Sequence, residues 1–407
     1  MGGEPSTSVT NAVKCRSCDT EQTASKFCTQ CGDPLIHPVK AVQTRAFAGA
    51  ERAAGYVESE HTELATEVGA QVAAAALPTS IETELTAAEY ELDDLSPIVE
   101  LEQSPVPLVD APATTGLRGA LTSLGILMKP STAELEERAR TAARAHNEDV
   151  VRQATFTRAV SVLVANRKGG VGKTPAALLL GGALASIRGG SVAIVEVSDD
   201  PGALAFRAEG SPKLGLGELV TDAHGIRTAG QLAGYTAPQT SYAAVIGSPN
   251  TRNPLSGEDV ATISHLIDDY YSMRVMDSGN LHSSPAFLQA VAAADALVIP
   301  TLNAADSVLE AVNLLDALRA AGGHSADLAE RAILIRLTDG RYEHPQVLER
   351  ITRVIDKAGF LATFEVPYDA HIAERGQLTL ANLSPEARDS FTAAAAGVVR
   401  SLRNHIR

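Results

Sequence analysis

Lys168–Thr174 (KGGVGKT) concentrates more potential chemistry than any other stretch of the chain. Gly169, Gly170 and Gly172 let the backbone curl tightly and turn its N–H groups inward, a concavity that suits an anion. An apolar run, 160–165, comes before this turn and reads as a buried strand; an apolar helical pattern begins at Ala176. The positive end of that helix reinforces the cradle for phosphate. Lys173 is placed to reach the β- and γ-phosphates of ATP, and the Thr174 hydroxyl to ligate Mg²⁺. A chance glycine turn is the competing reading, and the flanking strand and helix weigh against it.

All four cysteines fall within one short stretch near the N-terminus. Cys15, Cys18, Cys28 and Cys31 form two C-x₂-C knuckles separated by nine residues. Four thiolates at this spacing suit one tetrahedral Zn²⁺ with no open coordination position, hence a structural site. Two disulfides or a redox pair are the competing readings, disfavoured in a reducing compartment. A segment this short cannot fold on an apolar core alone, so the metal would supply its folding energy.

Two acidic stretches follow the glycine loop. Arg274–Asp277 (RVMD) reads as a short strand that delivers Asp277 beside the loop, where its carboxylate would hold the Mg²⁺ shell. Ser191–Val197 (SVAIVEV) is a second buried strand. It ends at Glu196-Val197 and runs into Asp199-Asp200-Pro201. One of these acids could instead cap a helix near Pro201.

The loop resembles the deviant Walker family that includes ParA, MinD and related partition and positioning ATPases. That family's loop reads K-G-G-x-G-K-[ST], which Lys168, Gly169, Gly170, Val171, Gly172, Lys173 and Thr174 match at every position. Arg167 stands where the standard loop has glycine, and Pro175 where the family usually has a second Thr or Ser. Proline is tolerated in a first helical turn. The resemblance implies that Lys168 reaches across a dimer interface to the partner's ATP. It also implies that the acid of a D-x-D-P stretch orients the attacking water. Here the acid before proline is delayed, so Asp200 inherits that role, with Asp199 next to it. Asp277-Ser278-Gly279-Asn280 resembles the family's second switch, and Pro367-Tyr368-Asp369 its turn beside the nucleotide. Thr338–Arg341 occupies the adenine-contacting region, without the usual Asn. The four-cysteine stretch resembles the short zinc ribbons found at the ends of many bacterial proteins.

These motifs need elements to hold them. Strand patterns at 160–165, 191–197, 242–246, 274–277, 296–300, 332–337 and 360–366 alternate with helical ones. About seven strands in this order predict a doubly wound, mainly parallel α/β sheet with nucleotide at the strand C-termini. The expected organisation is a zinc ribbon (1–40), an acidic Ala/Pro-rich disordered linker (41–130), a connecting helix (131–155) and an ATPase domain (156–407). The linker holds 4 basic and 14 acidic residues, a composition that cannot build a core. Within it, Leu117–Met128 (LRGALTSLGILM) is an apolar island, read as packing on the ATPase surface rather than as a docking or membrane-touching helix. The helix at Thr132–Gln153 has a thin apolar face and reads as exposed. The basic end of the closing helix, 384–407, reads as core-facing rather than as a membrane anchor.

With 407 residues and 45% hydrophobic content, the chain has material for one large core and two or three domains. The net charge of −15 is uneven: residues 1–155 hold 12 Lys+Arg against 23 Asp+Glu, and residues 156–407 hold 22 against 26. The acidity gives no support to a broad nucleic-acid face, though a local basic patch on the C-terminal part would suit non-specific DNA. The sequence has no apolar run long enough to span a membrane and no leader-like N-terminus, so a cytoplasmic location without stable membrane anchoring is expected.

The resulting expectation is an ATP-dependent homodimerisation switch that binds and hydrolyses ATP with Mg²⁺ to position or partition a cargo, either DNA or a secretion or conjugation assembly. A protein partner would bind through the ribbon or linker. The alternatives are a nucleotide-binding scaffold with little hydrolysis, and a small-substrate enzyme of the same superfamily.

Overall fold

The computed structural model describes residues 12–14, 20–23, 30 and 111–406. In the N-terminal unit, β1 (Ala12–Lys14) pairs antiparallel with β2 (Glu21–Thr23). Cys15, Cys18, Cys28 and Cys31 lie outside the described residues, as does the 41–110 part of the linker expected over 41–130; the remainder, 111–130, is ordered and holds a helix, so the expected disorder does not extend to it.

The C-terminal unit is built on one eight-stranded sheet. Its strands are β3 (Val160–Val164), β4 (Val192–Val197), β5 (Ala237–Pro238), β6 (Ala244–Ile246), β7 (Met273–Ser278), β8 (Ala296–Leu302), β9 (Ile333–Leu337) and β10 (Ala362–Val366). The spatial order is β10-β9-β8-β3-β7-β4-β6-β5. Every pairing is parallel except β5 with β6. The mainly parallel doubly wound sheet expected from the alternating pattern is present. The additional strand, β5, is two residues long and holds a proline, which an edge strand tolerates because no further neighbour needs its N–H.

Residues of β3, β4, β7 and β9 are buried throughout, as strands covered on both faces must be. Alternation along each strand divides the core in two. Val160, Val162 and Val164 of β3, Val192 and Ile194 of β4, and Met273 and Val275 of β7 face one apolar cluster. The helices Lys173–Arg188 and Pro385–His405 cover that side. Leu163, Ala193, Val195 and Met276 face the other, under Gly257–Asp268, Pro285–Ala292 and Ala305–Ala321. The end of the closing helix is core-facing, with Val398, Val399 and Leu402 fully buried.

The helix Thr132–Gln153 is fastened to this body. Arg140 pairs with Glu386 (2.6 Å) and Arg144 with Asp389 (3.4 Å), both on the closing helix. At its end Val151 is fully buried, and the Val151 and Ala154 carbonyls accept from the Arg188 guanidinium. The helix is largely exposed, as expected, with only Glu134 and Val151 buried, and this docking, which the sequence did not show, rests on charges more than on an apolar stripe.

The apolar island forms the helix Gly116–Ser123. It is held by polar contacts: the Ala113 N–H donates to the Met128 carbonyl (2.8 Å), and the Thr114 N–H to Glu134 Oε1 (2.7 Å). Leu117, Leu124 and Leu127 remain largely exposed, contrary to the expected packing. Among the described residues, no helix is long and apolar enough to cross a membrane.

Candidate functional site

The turn between β3 and the helix Lys173–Arg188 sits at the centre of the sheet, where the chain leaves β3 with β8 on one side and β7 on the other. In such sheets the crevice where the strand order reverses, outside the strand C-termini, is the ligand site. Gly170 and Gly172 take left-handed backbone, φ +76° and +93°, which glycine adopts at little cost. Gly172 caps the helix, and a Cβ there would come within 2.3 Å of Leu337 Cδ1. Pro175 stands in the first helical turn, where its missing N–H removes no helical bond.

A cavity of about 650 Å³ opens over this turn. Gly170, Gly172, Lys173, Thr174, Pro175 and Asp277 line it, so the loop and the β7 carboxylate converge as expected. Lys173 Nζ donates to the Lys168 carbonyl (3.0 Å) and to Asn280 Oδ1 (2.5 Å). Burial lowers its pKa to about 8, against the pull of the Asp277 charge.

Thr174 Oγ1 donates to Asp277 Oδ2 at 2.7 Å. Asp277 Oδ1 is buried and has no hydrogen-bond partner. Burial, with the charge of Glu196 adding to it, raises the Asp277 pKa to about 7; the Thr174 bond and Lys173 oppose this. A hydroxyl beside a carboxylate with one unpartnered oxygen fits a hard divalent cation that keeps several of its waters. Among the described residues, no cluster of three or more His, Cys, Asp or Glu side chains is set up as a metal cage.

Several candidate residues stand outside the cavity wall. Lys168 is partly exposed, and its ammonium pairs with Asp306 of the same chain. Its N–H donates to Asn166 Oδ1 (2.9 Å), which steadies the loop entry. Gly169, fully buried Val171 and exposed Pro367 do not line the cavity. Neither do Asp199, half-buried, nor Asp200, exposed.

Other residues complete the wall. Glu196, Ser198, Arg207, Thr338, Asp339, Arg341, Asp369 and Arg375 face the cavity. Burial, then the neighbouring Arg375 charge, lowers the Arg207 pKa. Asp339 pairs with Arg341. Asp369 accepts from the Ser384 N–H (2.8 Å) and the His371 N–H (2.9 Å), which hold its pKa down against the cost of burial. Arg207 and Arg375 carried no local motif. Glu196 was visible in the sequence only as the last acid of its strand.

The cavity thus offers backbone turned by glycine at a helix N-terminus, a buried ammonium, a hydroxyl–carboxylate pair and peripheral guanidinium groups. That set suits a polyphosphate bound with a divalent cation. A family model described as the CobQ/CobB/MinD/ParA nucleotide binding domain matches residues 162–379. No curated protein matches the chain. Among solved structures, the chain is similar to a ParA family ATPase from Chlorobium tepidum TLS, at 18% identity over 58% of this chain and 98% of that one (TM-score 0.48). It is also similar to the MinD cell division protein of Aquifex aeolicus, at 16% identity over 61% and 98% (TM-score 0.44). A putative plasmid partition protein from Borrelia burgdorferi B31 bound to AMPPNP is similar at 14% identity over 59% and 98% (TM-score 0.43).

Proposed function

The chain belongs to the CobQ/CobB/MinD/ParA nucleotide-binding domain family, and from that premise we propose that it is an ATPase acting as a nucleotide-controlled dimerisation switch that positions or partitions a cargo. The observation that carries this reading is the convergence of Lys173, Thr174 and Asp277 on one cavity, with Thr174 bonded to Asp277. Bound Mg²⁺ would neutralise charge on the β- and γ-phosphates. Thr174 and Asp277 would hold that ion. Lys173, already desolvated, would exchange its Asn280 contact for phosphate oxygens. The glycine-loop N–H groups and Pro175 would bracket the polyphosphate, with Pro367 at the rim beside the nucleotide.

In this reading, Lys168 leaves Asp306 and reaches the partner's nucleotide. That pair is solvent-screened and costs at most about 1 kcal/mol to break, so little opposes the exchange. The four N-terminal cysteines would hold one Zn²⁺ and fold a ribbon that recruits a protein partner.

The test is the solution mass of the full chain with ADP, with ATP–Mg²⁺, and with ATP–Mg²⁺ after Lys168→Ala. A dimer with ATP that the substitution abolishes supports the switch. A mass indifferent to nucleotide rejects it. The exposure of Asp200 favours one second reading, a scaffold that binds ATP without hydrolysing it. Lys173-dependent phosphate release rejects that reading.

A further inference from the structure

Strand parity and register place two carboxylates side by side. In β4, Val192 and Ile194 face the side of the glycine-loop helix; in β7, Met273 and Val275 do. Two residues further along each strand come Glu196 and Asp277, direct partners in the parallel β4–β7 ladder. Both therefore point to the face that holds Lys173 and Thr174, at the strand ends that open on the cavity.

Glu196 is almost completely buried, at 1% exposure, and lines the cavity. Its two oxygens differ. Oε1 accepts from Arg252 Nη2 (2.8 Å) and Ser248 Oγ (2.7 Å). Oε2 is buried with no partner. It lies beside Gly202 on the cavity wall, where an added Cβ would approach it to 3.1 Å. A buried carboxylate oxygen left unpaired is costly, and one beside a ligand cavity is explained by a donor that arrives with the ligand.

Arg252 fixes this arrangement. Besides Glu196, its guanidinium donates to the carbonyls of Ser198 (2.8 Å), Asp199 (2.7 Å) and Asp200 (3.2 Å). The loop after β4 is thus gripped by its backbone. Ser198 Oγ tightens it further by donating to the Asp200 carbonyl (2.5 Å).

We infer that Glu196, held by Arg252, is the carboxylate that orients the attacking water in ATP hydrolysis, in place of Asp199 or Asp200. The inference rests on the ATPase reading above. Glu196 Oε2 accepts a hydrogen bond from a water placed in line with the γ-phosphorus. The water oxygen forms a bond to that phosphorus as the bond to the β-phosphate oxygen breaks. The β-phosphate leaves with the bonding pair, and the proton from water passes by way of Oε2 to a phosphate oxygen, giving ADP and inorganic phosphate. Arg252 is a positioning residue: it occupies Oε1, so that Oε2 alone faces the reacting water.

The test measures phosphate release and binding of a fluorescent ATP analogue with Mg²⁺, using the full chain and the variants Glu196→Gln, Glu196→Asp, Arg252→Lys, Asp200→Asn and Lys173→Ala. Glu196→Gln is expected to lower kcat by about 100-fold or more, the usual scale for losing a proton-handling group. Its analogue affinity and KM for ATP should stay within about threefold of wild type, since Oε2 acts only on water. Glu196→Asp keeps the ion pair but withdraws the oxygen by one methylene. It stands as the folded variant should the glutamine be unstable, with a kcat loss of about tenfold. Arg252→Lys should lower kcat at unchanged KM, a split that general loosening of the cavity would not produce. Glu196→Gln or a folded Glu196→Asp turning over at the wild-type rate overturns the inference and leaves the ATPase reading intact. The same holds if Asp200→Asn abolishes turnover while Glu196→Gln does not. Wild-type protein that binds the analogue without Lys173-dependent phosphate release overturns both.

Discussion

Asp277 makes the nucleotide-free protein sensitive to pH in a way the structure quantifies. Its carboxyl is buried, with one oxygen unpartnered, and faces Glu196 across the β4–β7 ladder. Its pKa is raised from 3.8 to about 7. The folded state therefore holds this proton more tightly than the unfolded chain does. The associated stability is fully present below pH 3.8 and is lost as pH rises through about 7. At about 1.4 kcal/mol per pH unit, the whole effect is about 4 kcal/mol, and the part lost between pH 5 and pH 8 is about 3 kcal/mol. Lys173 enters only at the upper edge of that window, with about 0.4 kcal/mol at pH 8. Its folded pKa is depressed to about 8, so its contribution is lost as pH falls from 10.5 through about 8 and is flat below that.

The assay is urea unfolding without nucleotide or divalent cation, at pH 5, 6, 7 and 8, for wild type and Asp277→Asn. Far-ultraviolet circular dichroism serves as the signal, since the chain has no Trp. Subtracting the two curves removes contributions common to both proteins. Wild type should lose about 3 kcal/mol relative to Asp277→Asn between pH 5 and pH 8. A difference that stays constant with pH, or grows in favour of wild type, refutes the argument that burial governs this carboxylate.

Two further predictions concern the loop and the N-terminus. Gly172→Ala must adopt φ +93° and push against Leu337, whereas Gly170→Ala, at φ +76°, has no atom within 4 Å of the added carbon. Backbone strain of about 1–2 kcal/mol is common to both, and crowding adds about 1–3 kcal/mol at 172 alone; equal losses in urea unfolding would count against the packing at Leu337. Purified full-length protein should carry one zinc per chain by elemental analysis. Cys15→Ser with Cys28→Ser should remove it without changing ATP affinity, and zinc retained by that variant would sink the ribbon assignment.

The glycine loop was legible in the sequence because its determinants are contiguous. Strand, turn and helix follow within 160–188, and the turn residues announce their own backbone conformation. Asp277 was legible because it ends an apolar strand. Glu196 ends one too, yet its role depends on relations no local pattern carries. One is its register opposite Asp277, and another is an arginine 56 residues away. The docking of Thr132–Gln153 was missed because Arg140 and Arg144 find acids on the last helix, roughly 245 residues downstream. β5 was missed because two residues with a proline leave no alternation to read.

Asp200 shows how the place of a motif in the sequence and the side chain that faces the cavity can part company. An acid before a proline, at the end of the strand beside the glycine loop, is where a water-orienting carboxylate is sought. In this chain the stretch between strand and proline is longer, and Arg252 anchors the three carbonyls of Ser198, Asp199 and Asp200. Backbone held in this manner does not need its side chains inward, and Asp200 is left exposed. The inward position passes to the last strand residue of correct parity, Glu196. Two adjacent buried carboxylates would repel each other strongly if left uncompensated. Arg252 neutralises Glu196 permanently, whereas Asp277 has only the desolvated Lys173 and the Thr174 hydroxyl. The division of labour follows from that asymmetry. The carboxylate with a permanent counter-charge is held in place to accept from a water, and the one without is the stronger attractor for an incoming cation.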